Sequence, residues 1–133
     1  MKSLKIKGHI DEDGRPRVVI EVFGGRGKAK LDPIIDTGFD GEVCIPIRTA
    51  VQLGLELIGV TTVELADGTK KEELVFQGKA RLNNLEQEVE ILLTEGEDAL
   101  IGLRLFERAK ITIDFAHKTA EIFIFNERFL DSF

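Results

Sequence analysis

The chain has 133 residues, of which 43% are hydrophobic and 32% charged, and its formal net charge at pH 7 is −6. This length fits one domain with its own core, residues 1–133, and the composition argues against a disordered chain. An acidic balance without a run of Lys or Arg argues against nucleic acid or a membrane as partner. Because neither a signal peptide nor an apolar run of membrane-spanning length is visible, we expect a cytoplasmic protein.

Short alternating or apolar segments bounded by turn residues predict strands throughout the chain. The predicted strands are Leu4–Ile10, Arg17–Phe23, Ala29–Asp36, Val43–Ile45, Leu55–Ala66, Lys71–Phe76, Gly78–Leu82, Val89–Leu93, Ile111–Phe115 and Ala120–Phe125. Helical turns are predicted over Arg48–Leu53, which Gly54 would end, and over Leu103–Ala109. This pattern indicates a mainly β fold, either a closed barrel or a sandwich, with one or two short helices.

Turn residues between these strands predict three hairpins. The turns are 11–14 near the start, Ala66–Thr69 in the middle and 116–119 near the end. The middle hairpin is polar and charged on one side, so we expect it to project from the body. The glycine-rich stretch 24–27 is interpreted as a flexible connection, because it lacks the Gly-Lys-Ser/Thr ending and the following helix of a phosphate-binding loop.

The chain contains one cysteine, Cys44, and two histidines, His9 and His117. A single cysteine cannot form an internal disulfide, and these residues have no metal-ligand spacing, so we expect no metal and no other cofactor. Cys44 lies in an apolar run and is interpreted as a small core side chain. Both histidines lie beside predicted turns, and we expect them to face solvent.

The stretch Ile34-Ile35-Asp36-Thr37-Gly38 delivers one carboxylate from a β-branched strand to the start of a loop. The strand would hold Asp36 in a dry environment, Thr37 offers a hydroxyl to a neighbouring strand, and Gly38 permits another backbone to approach. Peptide hydrolysis without a metal or a nucleophilic side chain needs one group to activate water and another to donate a proton. Two carboxylates within about 3 Å do both, because they share a proton. The alternative is a capped or ion-paired loop aspartate.

Three elements in this order resemble the retropepsin-like aspartic proteases, and most of all their small prokaryotic members. Asp36-Thr37-Gly38 matches the active-site loop, and Ala66-Asp67-Gly68-Thr69 stands where the family has its flap hairpin. Leu100-Ile101-Gly102 matches the hydrophobic element that packs behind the active-site loop. The resemblance extends from about Val18 to Phe125 and implies a closed β-barrel of the acid-protease type.

The resemblance also implies an activity and an assembly. Asp36 would be catalytic, within an active-site loop that includes Thr37, Gly38 and Phe39. Because the mechanism needs two aspartates and the chain has one such motif, the implied enzyme is a homodimer that cleaves a peptide or protein substrate beneath the flap. The tail 126–133 carries three large apolar residues and is expected to dock on its own subunit or in the dimer interface.

Departures from the family pattern leave alternatives open. The family often has Ala or Ser where this chain has Phe39, and the chain has no Tyr to place in the flap. The alternative function is a catalytically silent module of the same fold that dimerises or binds peptides, and a third is a β-barrel binding domain in which Asp-Thr-Gly is accidental.

Retropepsins commonly place Arg directly after the second glycine, whereas here Leu103 precedes Arg104. We therefore hypothesise an Asp40–Arg104 ion pair, with an exposed Arg104 as the alternative.

Overall fold

The computed structural model describes residues 4–107 and 109–125, and these ranges contain twelve β-strands, one α-helix and one short 3₁₀-helix. The strands are β1 (Leu4–Ile10), β2 (Pro16–Arg17), β3 (Ile20–Phe23), β4 (Lys28–Leu31), β5 (Ile34–Ile35), β6 (Val43–Pro46), β7 (Glu56–Glu64), β8 (Lys70–Leu82), β9 (Leu85–Thr94), β10 (Leu100–Ile101), β11 (Ala109–Asp114) and β12 (Thr119–Ile124). Helix α1 spans Ile47–Leu53 and the 3₁₀-helix spans Leu103–Phe106. The mainly β prediction is confirmed. Neither helix in the described ranges has the length and apolar character needed to cross a bilayer.

The strands form one hydrogen-bonded sheet. Its order is β11-β12-β1-β2-β5-β10-β6-β9-β8-β3-β4, and β7 pairs with β8 as a projecting ribbon. The order has two ends, β11 and β4, and no ladder joins them within the described residues. The closed barrel that we expected is therefore not confirmed. The predicted tail contact lies outside the described residues.

Two predicted strands are each divided by a corner, so their prediction as single strands was wrong. The segment Arg17–Phe23 becomes β2, which pairs with β1 and β5, and β3, which pairs with β4 and β8. The chain changes partners at Val18, which is completely buried. The segment Ala29–Asp36 becomes β4 and β5, interrupted beside Pro33, because proline has no N–H to donate to a ladder.

The opposite error occurs at β8, which is continuous where the sequence predicted two strands. The predicted strands Lys71–Phe76 and Gly78–Leu82 are one strand, and Gly78 lies inside it. A Cβ at this position would crowd Ile91 and the backbone oxygen of Phe23, so the glycine permits close packing.

The stretch 24–27 also differs from expectation. The N–H groups of Gly25 and Arg26 donate to carbonyls at the end of α1, at 3.0 and 2.9 Å, so this stretch is anchored.

Side chains from strands that are distant in the sequence fill one core. The largest completely or almost completely buried ones include Ile20, Ile45, Leu82, Ile91, Ile101 and Ile122. Helix α1 adds Leu53 to this core and ends at Gly54, whose φ of 67° is left-handed. Each large aliphatic side chain contributes about 1.5–3 kcal/mol on burial. Ile101 and Ile35, the last residues of β10 and β5, belong to this core and support the region that carries Asp36.

Candidate active site

Two short parallel strands support the candidate site. Ile34 of β5 pairs with Leu100 of β10, and Ile35 pairs with Ile101. On its other side β10 pairs antiparallel with β6. The chain therefore leaves β5, passes the end of β10 through residues 36–42, and returns as β6. We call these three strands and their loop the ψ crossing, and residues 36–42 the Asp36 loop. The ψ crossing brings together the stretch that carries Asp36 and the stretch Leu100–Gly102, which are far apart in the sequence.

Asp36 is half-buried at the start of this loop and is held by backbone groups. Its N–H donates to the Ile101 carbonyl at 2.9 Å, and its Oδ1 accepts a hydrogen bond from the Gly38 N–H at 2.9 Å. The Phe39 N–H donates to the Asp36 carbonyl at 3.1 Å and closes the turn. No cation of the described ranges lies within ion-pair distance of this carboxylate. Thr37 is exposed beside it, and its hydroxyl has no hydrogen-bond partner in the same ranges.

Gly102 allows the Asp36 loop to lie directly against the end of β10. Its N–H donates to the Glu42 carbonyl at 3.0 Å, and the Leu103 N–H donates to the Phe39 carbonyl at 2.9 Å. A Cβ on Gly102 would overlap the carbonyl oxygens of Phe39 and Gly41. Since its backbone is extended, this glycine is required for the close approach and not for an unusual dihedral angle.

Phe39 directs its ring back into the loop. A Cβ on Gly41 or on Gly102 would overlap this ring, so both glycines make room for it. Phe39 is half-buried and the neighbouring Asp40 is exposed. The aromatic side chain therefore packs against the ψ crossing.

Glu42 is a structural residue of the site that the sequence did not reveal. It is 8% exposed, and its Oε1 accepts a hydrogen bond from the Glu90 N–H at 3.0 Å. This bond ties the end of the Asp36 loop to β9. In the sequence Glu42 is one polar residue among several in a loop, and only its burial distinguishes it.

The hypothesised ion pair between Asp40 and Arg104 was wrong. Within the described residues the acidic partner of Arg104 is Glu90, at 3.8 Å between Nη1 and Oε2. Both side chains are more than half exposed, so the pair contributes at most about 1 kcal/mol.

The middle hairpin, β7 with β8, has the turn that the sequence predicted. The Leu65 N–H donates to the Thr69 carbonyl at 2.7 Å, and Gly68 adopts a φ of 88°. The Asp67 Oδ1 accepts hydrogen bonds from the Thr69 hydroxyl at 2.6 Å and the Thr69 N–H at 2.9 Å. Both hydrogen bonds lower the pKa of the Asp67 carboxyl, and the bond from the Thr69 hydroxyl has the larger effect. We call β7, this turn and β8 the flap hairpin.

A cavity of about 370 Å³ separates the flap hairpin from the Asp36 loop. One wall consists of residues 38–42 and the other of residues 61–64. Val75, Glu90, Leu92 and Arg104 complete the lining. Asp36 and the tip Ala66–Thr69 are not part of this lining, so the cavity adjoins the candidate carboxylate without enclosing it.

Cys44 and the two histidines are not part of the site. Burial, and to a smaller extent the negative charge of Glu73, raises the pKa of the Cys44 thiol to about 11, so the thiol stays protonated. The interpretation of Cys44 as a core side chain is confirmed. His9 and His117 are 47% and 80% exposed, as expected, and each pairs with an aspartate. In residues 4–107 and 109–125, no three His, Cys, Asp or Glu side chains are arranged to hold a metal ion.

The fold is similar to that of a known protease. The crystal structure of a retropepsin-like aspartic protease from Rickettsia conorii superimposes with a TM-score of 0.64 and 16% sequence identity, over 92% of this chain and 93% of that chain. Searches with protein-family models and of curated protein sequences find no match. At 16% identity the similarity establishes the fold and not the chemistry. The chain therefore has a mainly β fold resembling that of the retropepsin-like aspartic proteases.

Proposed function

We propose that this protein is an aspartic endopeptidase that acts as a homodimer, with residues 1–133 forming one subunit. The observation that carries the proposal is the position of Asp36. Its half-buried carboxylate is held by the Gly38 N–H on a loop that Gly102 supports from behind, beside a cavity covered by the flap hairpin. One subunit supplies one such carboxylate. A two-fold axis next to the Asp36 loop would supply the second.

The proposed mechanism uses the two Asp36 carboxyl groups as a pair. At about 3 Å they share one proton, as in aspartic proteases generally. The ionised group takes a proton from water as the water attacks the peptide carbonyl, and the protonated group donates to the carbonyl oxygen. The departing amine then receives a proton from the pair. Thr37, with its exposed hydroxyl, is available to bond across the axis to the second loop.

The proposed substrate is an extended peptide or protein segment. The cavity lies between residues 38–42 and residues 61–64 of β7, and among the described strands β7 is paired along one edge only, by β8. Its other edge suits strand-like binding by main-chain hydrogen bonds. Movement of the flap hairpin would admit the substrate and then exclude water. The roles of Phe39 and of the tip Ala66–Thr69 in contacting substrate belong to this proposal.

The test is cleavage of a mixed peptide library between acid and neutral pH by wild type and by Asp36→Asn, over a series of protein concentrations. Asp114→Asn is the matched control, because it removes a carboxylate from a distant hairpin. We expect cleavage by wild type and by the control, none by Asp36→Asn, and a faster than linear loss on dilution. Cleavage by Asp36→Asn would refute the proposal.

A catalytically silent module that dimerises or binds peptides is the second candidate. The packing of Phe39 against Gly41 and Gly102 favours it, because a phenyl ring cannot donate the hydrogen bond that a Ser at this position would offer the carboxylate. A folded dimer that binds library peptides but cleaves none at any pH would support this candidate. A stable monomer in sedimentation would contradict the homodimeric peptidase and the dimerising form of this module.

A further inference from the structure

Arg17 makes three hydrogen bonds to three separate segments of the chain. Its side chain is 12% exposed. Nε donates to Asp11 Oδ2 at 2.6 Å, and Nη1 donates to the Asp32 carbonyl at 2.6 Å. Nη2 donates to Asp98 Oδ1 at 3.0 Å. A nearly buried guanidinium with a carboxylate or carbonyl on each nitrogen is fixed in both position and orientation.

Two of the three acceptors lie where β5 and β10, the parallel strands of the ψ crossing, begin. Asp32 immediately precedes Pro33 and β5, and Asp98 precedes Ala99 and β10. Asp11 opens the turn between β1 and β2. One guanidinium therefore joins the starts of the same two strands whose ends carry Asp36 and Gly102.

The ladder between β5 and β10 is short. Each strand contains two residues, and they run parallel, which is the less stable pairing per residue. At their start the Ile34 N–H donates to the Ala99 carbonyl at 2.9 Å, and at their end the Asp36 N–H donates to the Ile101 carbonyl at 2.9 Å. The position of the Asp36 loop thus depends on contacts outside the short ladder.

Arg15 closes the network from the solvent side. Its Nη1 lies 3.2 Å from Asp98 Oδ2 and its Nε lies 3.1 Å from Asp11 Oδ2. The Arg15 side chain is 40% exposed, so its ion pairs are weaker than those of Arg17. Hydrogen bonding to Arg17 lowers the pKa of the Asp98 carboxyl.

We propose that Arg17 is a positioning residue that clamps the starts of β5 and β10, so that the Asp36 loops of the dimer keep the separation needed for two carboxyl groups to share a proton. This inference rests on the proposed function. Arg17 touches no reacting atom, and it acts through the backbone at Asp32 and the carboxylate of Asp98.

A loosened clamp has a kinetic signature that simple loss of folded protein lacks. The separation between the two apparent pKa values of a carboxyl pair grows as the groups approach. A wider or variable spacing would therefore bring the two limbs of the pH–rate profile closer together. A misplacement of about 1 Å also lowers the chemical rate by about 100-fold. Partial unfolding would lower the amount of active enzyme but leave the shape of the profile unchanged.

The kinetic test compares Arg17→Gln, Arg17→Lys and Asp98→Asn with the control Arg81→Gln. Arg81 pairs with Glu21 and joins β8 to β3, away from the Asp36 loop. We expect Arg17→Gln to lower kcat about tenfold or more with a small change in KM and a narrower pH profile. Arg17→Lys should recover part of the loss, because it restores one charge, and Arg81→Gln should resemble wild type. A profile of wild-type shape in both Arg17→Gln and Asp98→Asn would overturn the inference.

A second measurement does not depend on activity. Amide hydrogen exchange measures how readily the N–H groups of Asp36 and Gly102 open to solvent. Both groups lie at the ends of the clamped strands. We expect both to exchange faster in Arg17→Gln than in Arg81→Gln under conditions of equal global stability, and Asp98→Asn serves if Arg17→Gln does not fold. Equal exchange would refute the clamp. If wild type cleaves no peptide, the peptidase is refuted. Faster exchange in Arg17→Gln would still identify Arg17 as the residue that positions the loop.

Discussion

At the scale of single residues, the candidate site depends on side chains that are small or buried. Gly41 and Gly102 make room for the Phe39 ring and for close backbone contacts. Glu42 turns its carboxylate inward to the β9 backbone. Asp36 can keep a partly exposed carboxylate because these neighbours stabilise the loop without covering it.

Substitution of Gly102 by Ala should destabilise the protein, because the added Cβ would overlap two carbonyl oxygens of the Asp36 loop. We expect a loss of about 1–3 kcal/mol in the free energy of unfolding, measured by urea denaturation. Gly59→Ala is the matched control, because a Cβ on that strand glycine meets nothing within 4 Å. Equal stability of the two variants would contradict the close approach at Gly102.

Asp11→Asn should reveal a pH-dependent contribution to stability. Hydrogen bonds from the Arg15 N–H and from the Arg17 side chain hold the pKa of the Asp11 carboxyl well below its usual range. A carboxyl with a lowered folded-state pKa contributes stability that is fully present above its unfolded pKa of about 4 and is lost as pH falls through the folded pKa. The stability gap between wild type and Asp11→Asn should therefore narrow below about pH 4. The measurement is urea unfolding of both proteins at successively lower pH. A stability difference that stays constant would contradict the expectation.

At the scale of elements, the molecule combines long ribbons with very short strands. The flap hairpin is a regular antiparallel ribbon with eight paired positions and one bulge after Leu57. Its length allows it to project, and its tip is stabilised by local hydrogen bonds within residues 65–69. By contrast β5 and β10 have two residues each, so neighbouring segments must hold them in place.

Asp67→Ala should loosen the tip of the flap hairpin, because it removes the acceptor of both Thr69 hydrogen bonds. We expect faster amide exchange at Thr69 and, if the protein cleaves peptides, a raised KM. Glu72→Ala is the control on the same hairpin, since it truncates an exposed side chain of β8. Unchanged exchange at Thr69 would show that the backbone turn alone holds the tip.

At the scale of the whole molecule, one chain provides half of the proposed catalytic centre. Its sheet has two ends within the described residues, and its candidate carboxylate lies beside the cavity under the flap hairpin instead of inside it. Both features suit a site that a second copy completes.

Mixing wild-type subunits with Asp36→Asn subunits should lower activity by more than the fraction of Asp36→Asn subunits in the mixture. If each active centre needs Asp36 from both subunits, an equal mixture has about one quarter of its dimers fully wild type, and activity should fall to about one quarter of that of the unmixed dimers. Peptide cleavage after exchange of subunits measures this ratio at constant total protein. A fall to one half would mean that each subunit acts alone.

Local patterns in the sequence predicted much of this fold. The strand Leu4–Ile10, the three hairpin turns and the helix stop at Gly54 follow from alternation and turn chemistry, which act between near neighbours. The adjacency of Asp36-Thr37-Gly38 and Leu100-Ile101-Gly102 was expected from family resemblance and is present as the ψ crossing. The catalytic roles of these residues stay predictions.

The sequence by itself thus determined the mainly β class, the turns and the stretch that carries the candidate carboxylate, because each depends on residues close together in the chain. The tertiary structure alone decided where strands change partners, that Glu42 faces inward, and that Arg104 pairs with Glu90. It also brought Arg17 to Asp98, 81 residues away. Contacts at such separations depend on the packing of the whole sheet, so no local pattern of charge or hydrophobicity specifies them.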